Sequence, residues 1–293
     1  MKKISVVLAL ALCYFFFPGF TYAEEKPLIA QITLPDEFTQ AGSQTTDLSK
    51  ITAAEAEKCE SLTLDVPGFN QITFLDAVDL SHPTTVDHFK NLDKFIQLSH
   101  IGTVSVDSDV FPVLNVPAKI EMRHLPFTFT PQILKDGKSP REGMVTNVDY
   151  QAETGTLRFN ITDFSVYHTV PNFYFLNHLD DQVATSNYLL EVRVNDPQAN
   201  VTFYLEKKPY PVTVNPQTGE FDLLLHLKRG ENYFFLGAKD SLGEGKTQEY
   251  KIVYTSGGLF DVARMRKSVL YAVPLCGLGI TLIIVALFRA LHR

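Results

Sequence analysis

Cysteine is scarce in this 293-residue chain, with three in all, and two of those lie in apolar stretches at the ends, Cys13 and Cys276. Only Cys59 remains for the body, so no intramolecular disulfide is expected and the core must hold by packing. Tryptophan is absent, and Phe (22) and Tyr (12) carry the aromatic content. Basic residues are short in the body as well. All 33 acidic residues fall between Glu24 and Asp261, against 19 Lys and Arg, leaving a net charge of about −14 with histidine neutral. Such a surface repels phosphate backbones and excludes nucleic acid as an expected partner. Compact catalytic patterns are missing too: there is no His-Glu-x-x-His, no Gly-x-Ser-x-Gly, no phosphate-binding glycine loop and no cysteine pair. The expectation is a protein that is not an enzyme and carries no cofactor, although an active site assembled from distant residues would leave no such trace.

Long apolar runs occur only at the two ends. Residues 1–23 place Lys2 and Lys3 before the apolar run Ile4 to Phe17, then Pro18, Gly19 and a small-flanked "TYA" ahead of Glu24. That is the order of a secretory signal peptide. Leu12 before Cys13 is too large for a lipoprotein cleavage site. At the far end Val269 to Phe288 carries no charge, and such a helix, at ~1.5 Å per residue, spans ~30 Å, the hydrocarbon thickness of a bilayer. The expected arrangement is a signal peptide (1–23), an exported body outside the cytoplasm (24–255), a stalk (256–268), a transmembrane helix (269–288) and a cytoplasmic tail (289–293). A C-terminal helix removed as a sorting signal is the alternative. Gly257-Gly258, well before the helix, departs from that pattern.

The body alternates. Phe221, Leu223, Leu225 and Leu227 fall on one face with Asp222 and His226 on the other, and Phe234, Leu236 and Ala238 repeat the rhythm after the polar "KRGEN". Period two means strands with one buried face. Tyr188 to Val194, Val201 to Leu205 and Tyr250 to Tyr254 continue it, separated by the turn segments "NDPQAN" and "NPQTG". Pro209 and Pro211 lack donors, which confines "PYPVTV" to a sheet edge or a strand start. Six strands over residues 188–255 suggest a small sandwich.

In its order of Gly219, Phe221, Gly230, Asn232, Ala238, Asp240 and Gly243, this segment resembles the bacterial immunoglobulin-like modules of membrane-anchored exported surface proteins. The resemblance covers about 70 residues. It implies a β-sandwich and says little about the ligand, because such modules serve as spacers, adhesins and enzyme accessories alike. In residues 24–171, Asp136-Gly137 and Glu153-Thr154-Gly155 are turn signals, and the ending Gly155 to Phe159 with Phe164-Ser165-x-Tyr167 resembles the closing strands of sandwich modules on exported proteins. Val86, Phe89, Leu92 and Ile96 show helical spacing after Thr84 and Thr85, which could cap a helix, and a strand-rich region with one short turn of helix is the equal alternative. Residues 36–60 read as a loop and 172–187 as the inter-domain connection. The expected fold class is all-β, two β-sandwich (immunoglobulin-like) domains plus the C-terminal transmembrane helix.

Candidate site residues are few. Asp196 and Asn200, beside Asn195, could offer oxygens to a cation from one turn, and Asp240 and Glu244 from another; turns also favour Asn and Asp for backbone reasons alone. His82 with His88, or His178 with Asp180 and Asp181, could hold a metal or be solvated loop side chains. Tyr204, Tyr233 and Phe235 point away from the core and could form a flat aromatic surface for sugars, or be covered by a second layer. The sequons at Asn160 and Asn200 read as chance. The reading that follows is a non-catalytic binding or scaffolding protein of the cell envelope, tethered to a lipid bilayer, with a protein or glycan partner. A carbohydrate-binding accessory and an envelope hydrolase with an unrecognised site are the alternatives.

Overall fold

The structure is a computed structural model that describes residues 26–255. The expected signal peptide, stalk, membrane helix and tail lie outside these residues. Among the described residues no helix is long and apolar enough to cross a membrane. The protein is built mostly of strands and divides into two compact units. Of the described residues, the first takes 26–172 together with Asn195–Ala199 and Lys239–Gly245. The second takes Phe173–Val194, Asn200–Ala238 and 246–255.

The first unit holds β1 (Thr63–Asp65), β2 (Asn70–Phe74), β3 (Ile96–His100), β4 (Thr103–Val106), β5 (Ala118–Met122), β6 (Gln132–Lys135), β7 (Val145–Gln151), β8 (Thr156–Ile161) and β9 (Val166–Val170). They form one sheet of order β1-β2-β5-β8-β7 and another of order β3-β4-β9-β6. Alternation decides which side chains meet. Ile72, Ile120 and Phe159 stand opposite one another across β2, β5 and β8 and are fully buried, while Ile96, Leu98, Val104 and Tyr167 bring the other sheet into the same core. Phe159 and Tyr167 touch with ring centroids 6.1 Å apart. Truncating a buried ring such as Phe159 to alanine removes both transfer energy and packing, a loss of about 3–5 kcal/mol. From β2, Asn70 donates to the carbonyls of Leu98 (2.7 Å), His100 (2.7 Å) and Thr103 (2.8 Å), pinning the irregular β3–β4 hairpin.

Two segments differ from expectation, and a third takes one of its two expected forms. Residues 36–60 contain short helical turns at Asp36–Thr39, Leu48–Lys50 and Ala53–Glu57 rather than one loop, and these bury Phe38, Leu48 and Ala56. The last turn has a reciprocal capping box between Thr52 and Glu55, a Thr-x-x-Glu spacing visible in the sequence. The helical spacing after Thr84 becomes a helix over Pro83–Phe89 and a 3-10 turn over Leu92–Lys94, while Ile96 opens β3. Its cap is His82, whose ring nitrogen accepts the Thr84 N–H at 3.4 Å, with Pro83 in the first turn. Segment 172–187 is the other that differs. Apart from Asn172, which falls in the first unit, it carries β10 (Phe173–Phe175) and β11 (Gln182–Val183), so it belongs to the second unit instead of leading to it.

The rest of the second unit is β12 (Asn187–Val194), β13 (Asn200–Leu205), β14 (Lys208–Tyr210), β15 (Glu220–His226), β16 (Gly230–Lys239) and β17 (Gly245–Tyr254). One sheet runs β10-β12-β15 and the other β11-β17-β16-β13-β14, with β11 parallel to β17. A first strand in one sheet, a second beside the last strand in the other, and the rest partitioned in this order is the plan of an immunoglobulin-like sandwich. Its core joins Phe203 to Phe234 (5.4 Å) and Phe234 to Tyr250 (5.0 Å), with Phe175 meeting Tyr250 from the facing sheet (5.1 Å). Pro209 sits in β14 at the sheet edge, as its missing donor requires.

Candidate binding face

The motif residues of the second unit are mainly builders of turns. Asn232 is 1% exposed. Its Oδ1 accepts the Lys228 N–H and its Nδ2 donates to the Lys228 and Gly230 carbonyls, closing the "KRGEN" turn around Gly230 at φ +96. Asn215 Oδ1 likewise accepts from the amides of Gln217 and Thr218 before Gly219 at φ +75. These glycines stand where a side chain would be strained.

The Asn232 turn leads into the sheet β11-β17-β16-β13-β14 of the second unit. Glu206 N–H donates to the Tyr233 carbonyl and Tyr233 N–H to Glu206 Oε1, both at 3.0 Å. Continuing that antiparallel register sets Tyr204 against Phe235 and Thr202 against Gly237. Accordingly, a Cβ on Gly237 would stand 2.8 Å from Thr202 Oγ1 and 2.7 Å from Thr247 Oγ1. The outer face therefore carries three aromatic rings and, beyond them, a buried Gly237 with the Thr202 and Thr247 hydroxyls closed over the place a side chain would take. Tyr204 is 39% exposed and Tyr233 38%; Phe235 is half-buried, so it packs among its neighbours more than expected. Tyr233 hydroxyl donates to Glu231 (2.7 Å), which also pairs with Lys251 (3.1 Å). The hydrogen bond to Glu231 holds the Tyr233 phenol above its ordinary pKa, so it stays a neutral donor fixed in direction.

The opposite sheet has apolar residues outside as well. Leu189 and Leu224 are cross-strand partners and both are exposed, as is Tyr174. They occupy outward positions of the same period-two pattern, and that position was the only signal available.

The expected metal candidates separate. Asn200 begins β13, exposed. Asn195 is fully occupied: Oδ1 accepts from Asn172 N–H, Nδ2 donates to the Phe129 carbonyl, and its own carbonyl accepts from Thr128 N and Oγ1. Asp196, Asp240 and Glu244 come together in the first unit. Asp240 Oδ1 accepts the amides of Leu242 (3.0 Å) and Glu244 (2.8 Å), and Asp196 accepts from Gln198 (2.9 Å) and Ser241 (3.4 Å). Burial raises the Asp240 pKa, helped by the charges of Asp196 and Glu244. Among the described residues, no group of three or more His, Cys, Asp or Glu side chains could hold a metal ion.

The histidines play other parts. His88 lies between the rings of Phe95 (5.0 Å) and Phe111 (4.8 Å), and with His82 and Asp79 it borders a cleft of the first unit. His178 stands 3.9 Å from Asp180, both exposed to solvent. Cys59 is free and buried, its thiol pKa pushed up by burial.

No protein-family model and no curated protein matches the chain. Among solved structures it is similar to the Chaetomium thermophilum Nup145N APD T994A mutant fused to Nup145C N, at 22% identity and TM-score 0.31 over 40% of this chain and 88% of that one. The C-terminal domain of nuclear pore complex component NUP116 from Candida glabrata gives 22% and 0.30, covering 42% and 87%. The tandem Ig repeats of Dlar give 9% and 0.21, covering 48% and 90%. At such TM-scores these likenesses carry no argument, and the immunoglobulin-like plan of the second unit rests on its strand order.

Proposed function

We propose that this chain is a non-catalytic binding module of the cell envelope. Its sandwich body is displayed outside the cytoplasm and tethered to the bilayer by the apolar segment 269–288, and it meets a protein or glycan through the outer face of the five-stranded sheet. The observation that carries the reading is the trio Tyr204, Tyr233 and Phe235 on one outward sheet face, two of them well exposed and one fixed by Glu231. Aromatic rings on a sheet face, with the hydroxyls of Thr202 and Thr247 on the same face, offer apolar area and directed hydrogen bonds together.

A glycan is the occupant this mixture favours, because sugar rings stack on aromatic faces while their hydroxyls seek donors and acceptors. The test is retention of the full-length protein on cell-wall polysaccharide and on glycan arrays, with Tyr204→Ala and Tyr233→Ala as variants. Loss of retention in both, with unchanged unfolding temperature, supports the face. Retention that survives both substitutions sinks it. Crosslinking in native membranes that captures a protein through this face, with no glycan retained, selects the protein partner instead.

A further inference from the structure

A strand at the end of a sheet offers unpaired main-chain groups to any passing strand unless something blunts it. In the first unit β1 and β6 are short, with three and four residues, and β3 and β7 are broken by register shifts. In the second, β10 and β11 have three and two residues, and β14 has three with Pro209 among them. β15 is different. It runs for seven residues, Glu220–His226, without proline or a register shift against β12, and it ends its sheet.

The bonds of β15 show which of its groups are open. Val194 N–H donates to the Gly219 carbonyl beside the pair Arg193 and Glu220, so Glu220 and every second residue after it turn their main-chain groups away from β12. The Asn215 amide takes the Glu220 carbonyl at 2.8 Å. Among the described residues, nothing bonds to the outer main-chain groups of Asp222, Leu224 and His226. The side chains along this edge carry a second pattern. Glu220, Asp222, Leu224, His226 and Lys228 alternate with the buried Phe221, Leu223, Leu225 and Leu227. Two acids, a leucine, then a histidine and a lysine make a series that matches itself when reversed, acid against base.

We propose that two copies of this chain pair edge to edge through β15, antiparallel about a twofold axis at Leu224. Leu224 then meets the partner's Leu224, Asp222 meets the partner's His226, and Glu220 comes to the partner's Lys228. Every contact is made twice, as a twofold interface requires. The three residues with open main-chain groups are the ones that face each other, so each exchanges both its bonds with the partner strand. Leu189, exposed in β12, stands beside Leu224, and the joined sheet carries one apolar row from Leu189 through both central leucines to the partner's Leu189. The His226 ring is steadied by Asn187 Oδ1, 2.9 Å from Nδ1, which leaves Nε2 for the partner's Asp222; as imidazolium the ring donates to both. At the acidic end Glu191, Glu220 and Asp222 line a cleft of about 510 Å³ with Thr213 and Asn215, and the partner's Lys228 and Arg229 bring the opposite charge to it. Opposite charges and apolar pairs across strands each stabilise a sheet. A slip of two positions either way sets Leu224 against the partner's Asp222 or the partner's His226, so the pattern also fixes the register. The pairing uses the three-stranded sheet and does not rest on the ring-bearing face.

The experiment uses the full-length protein in detergent, its mass followed by sedimentation equilibrium over a range of concentrations. A monomer–dimer equilibrium is expected. Leu224→Lys sets like charges on the axis and Asp222→Lys sets a cation against the partner's His226; each should weaken the dimer by about tenfold or more. Both side chains are exposed, so the unfolding temperature at high dilution should not move. The double exchange Asp222→His with His226→Asp keeps the complementarity and should dimerise better than either single exchange. Cysteines read the register directly, because paired positions lie about 5.5 Å apart at Cα, within reach of a disulfide. Leu224→Cys should oxidise to a linked dimer above the background set by the parent's own Cys13, Cys59 and Cys276. Asp222→Cys chains should link to co-expressed His226→Cys chains and not among themselves. A protein that stays monomeric at every concentration overturns the proposal. So does a dimer unmoved by Leu224→Lys and Asp222→Lys, which places the contact elsewhere, segment 269–288 included.

Discussion

Gly155 shows how much one position can decide. At φ +62 it lets the β7–β8 turn fold against Leu125, and a Cβ there would stand 2.5 Å from the Leu125 carbonyl oxygen. Gly155→Ala is expected to destabilise the first unit by about 2 kcal/mol or more, from the left-handed conformation and the collision together, read as a lower denaturant midpoint with an unchanged slope. Asn232→Ala leaves the Lys228 amide and two carbonyls of a buried turn without partners. A cost of about 2–3 kcal/mol is expected in the second unit by the same measurement. Glu121 predicts a pH effect. Burial disfavours its charge, but bonds from Arg123 and Arg158, each 2.7 Å, outweigh it and hold the carboxyl below its ordinary pKa. Its stabilisation is complete above the unfolded value near 4.3 and fades as pH drops through the lowered folded value. Glu121→Gln should flatten the acid limb of the stability curve between about pH 5 and 3, while the parent loses stability there.

Elements were legible where a local rule governs them. The alternation at Phe221 to Leu227 and Phe234 to Ala238 predicted β15 and β16, and Pro209 predicted an edge. Asp136-Gly137 folds as the turn it signals, with φ +51 and +72 and the Lys135 and Lys138 amides exchanged. What was missed depends on partners far along the chain. Phe173 to Phe175 reads as three greasy residues in a connection, and only pairing with Val192 to Val194 makes it a strand. The turns within 36–60 were hidden by their polar surface, since single apolar residues such as Phe38 do the burying. At the candidate face, the outward direction of Tyr204 and Tyr233 was readable from period two, but the need for a glycine at 237 required knowing that Thr202 and Thr247 flank it. Gly237→Ala presses a methyl on both hydroxyls. A lower unfolding temperature of the second unit is expected, read by a thermal melt.

At the scale of the molecule, charge is the most direct reading. A body near −14 should leave residues 24–261 unretained by anionic vesicles and by duplex DNA at physiological salt, and a co-sedimentation assay reports it. The meeting of the Asp196 and Asp240 turns was the opposite case: each could be read as a turn in the sequence, but the bond from the Ser241 amide to Asp196 exists only because the fold makes them neighbours. The same discontinuity has a temporal side. Thr128 and Phe129 find their hydrogen-bond partner in Asn195, and the first unit is complete only with residues up to Gly245. A chain emerging from the ribosome therefore cannot finish its leading unit before most of the following one has arrived, and cleavage at Asn172 would not release a self-sufficient piece.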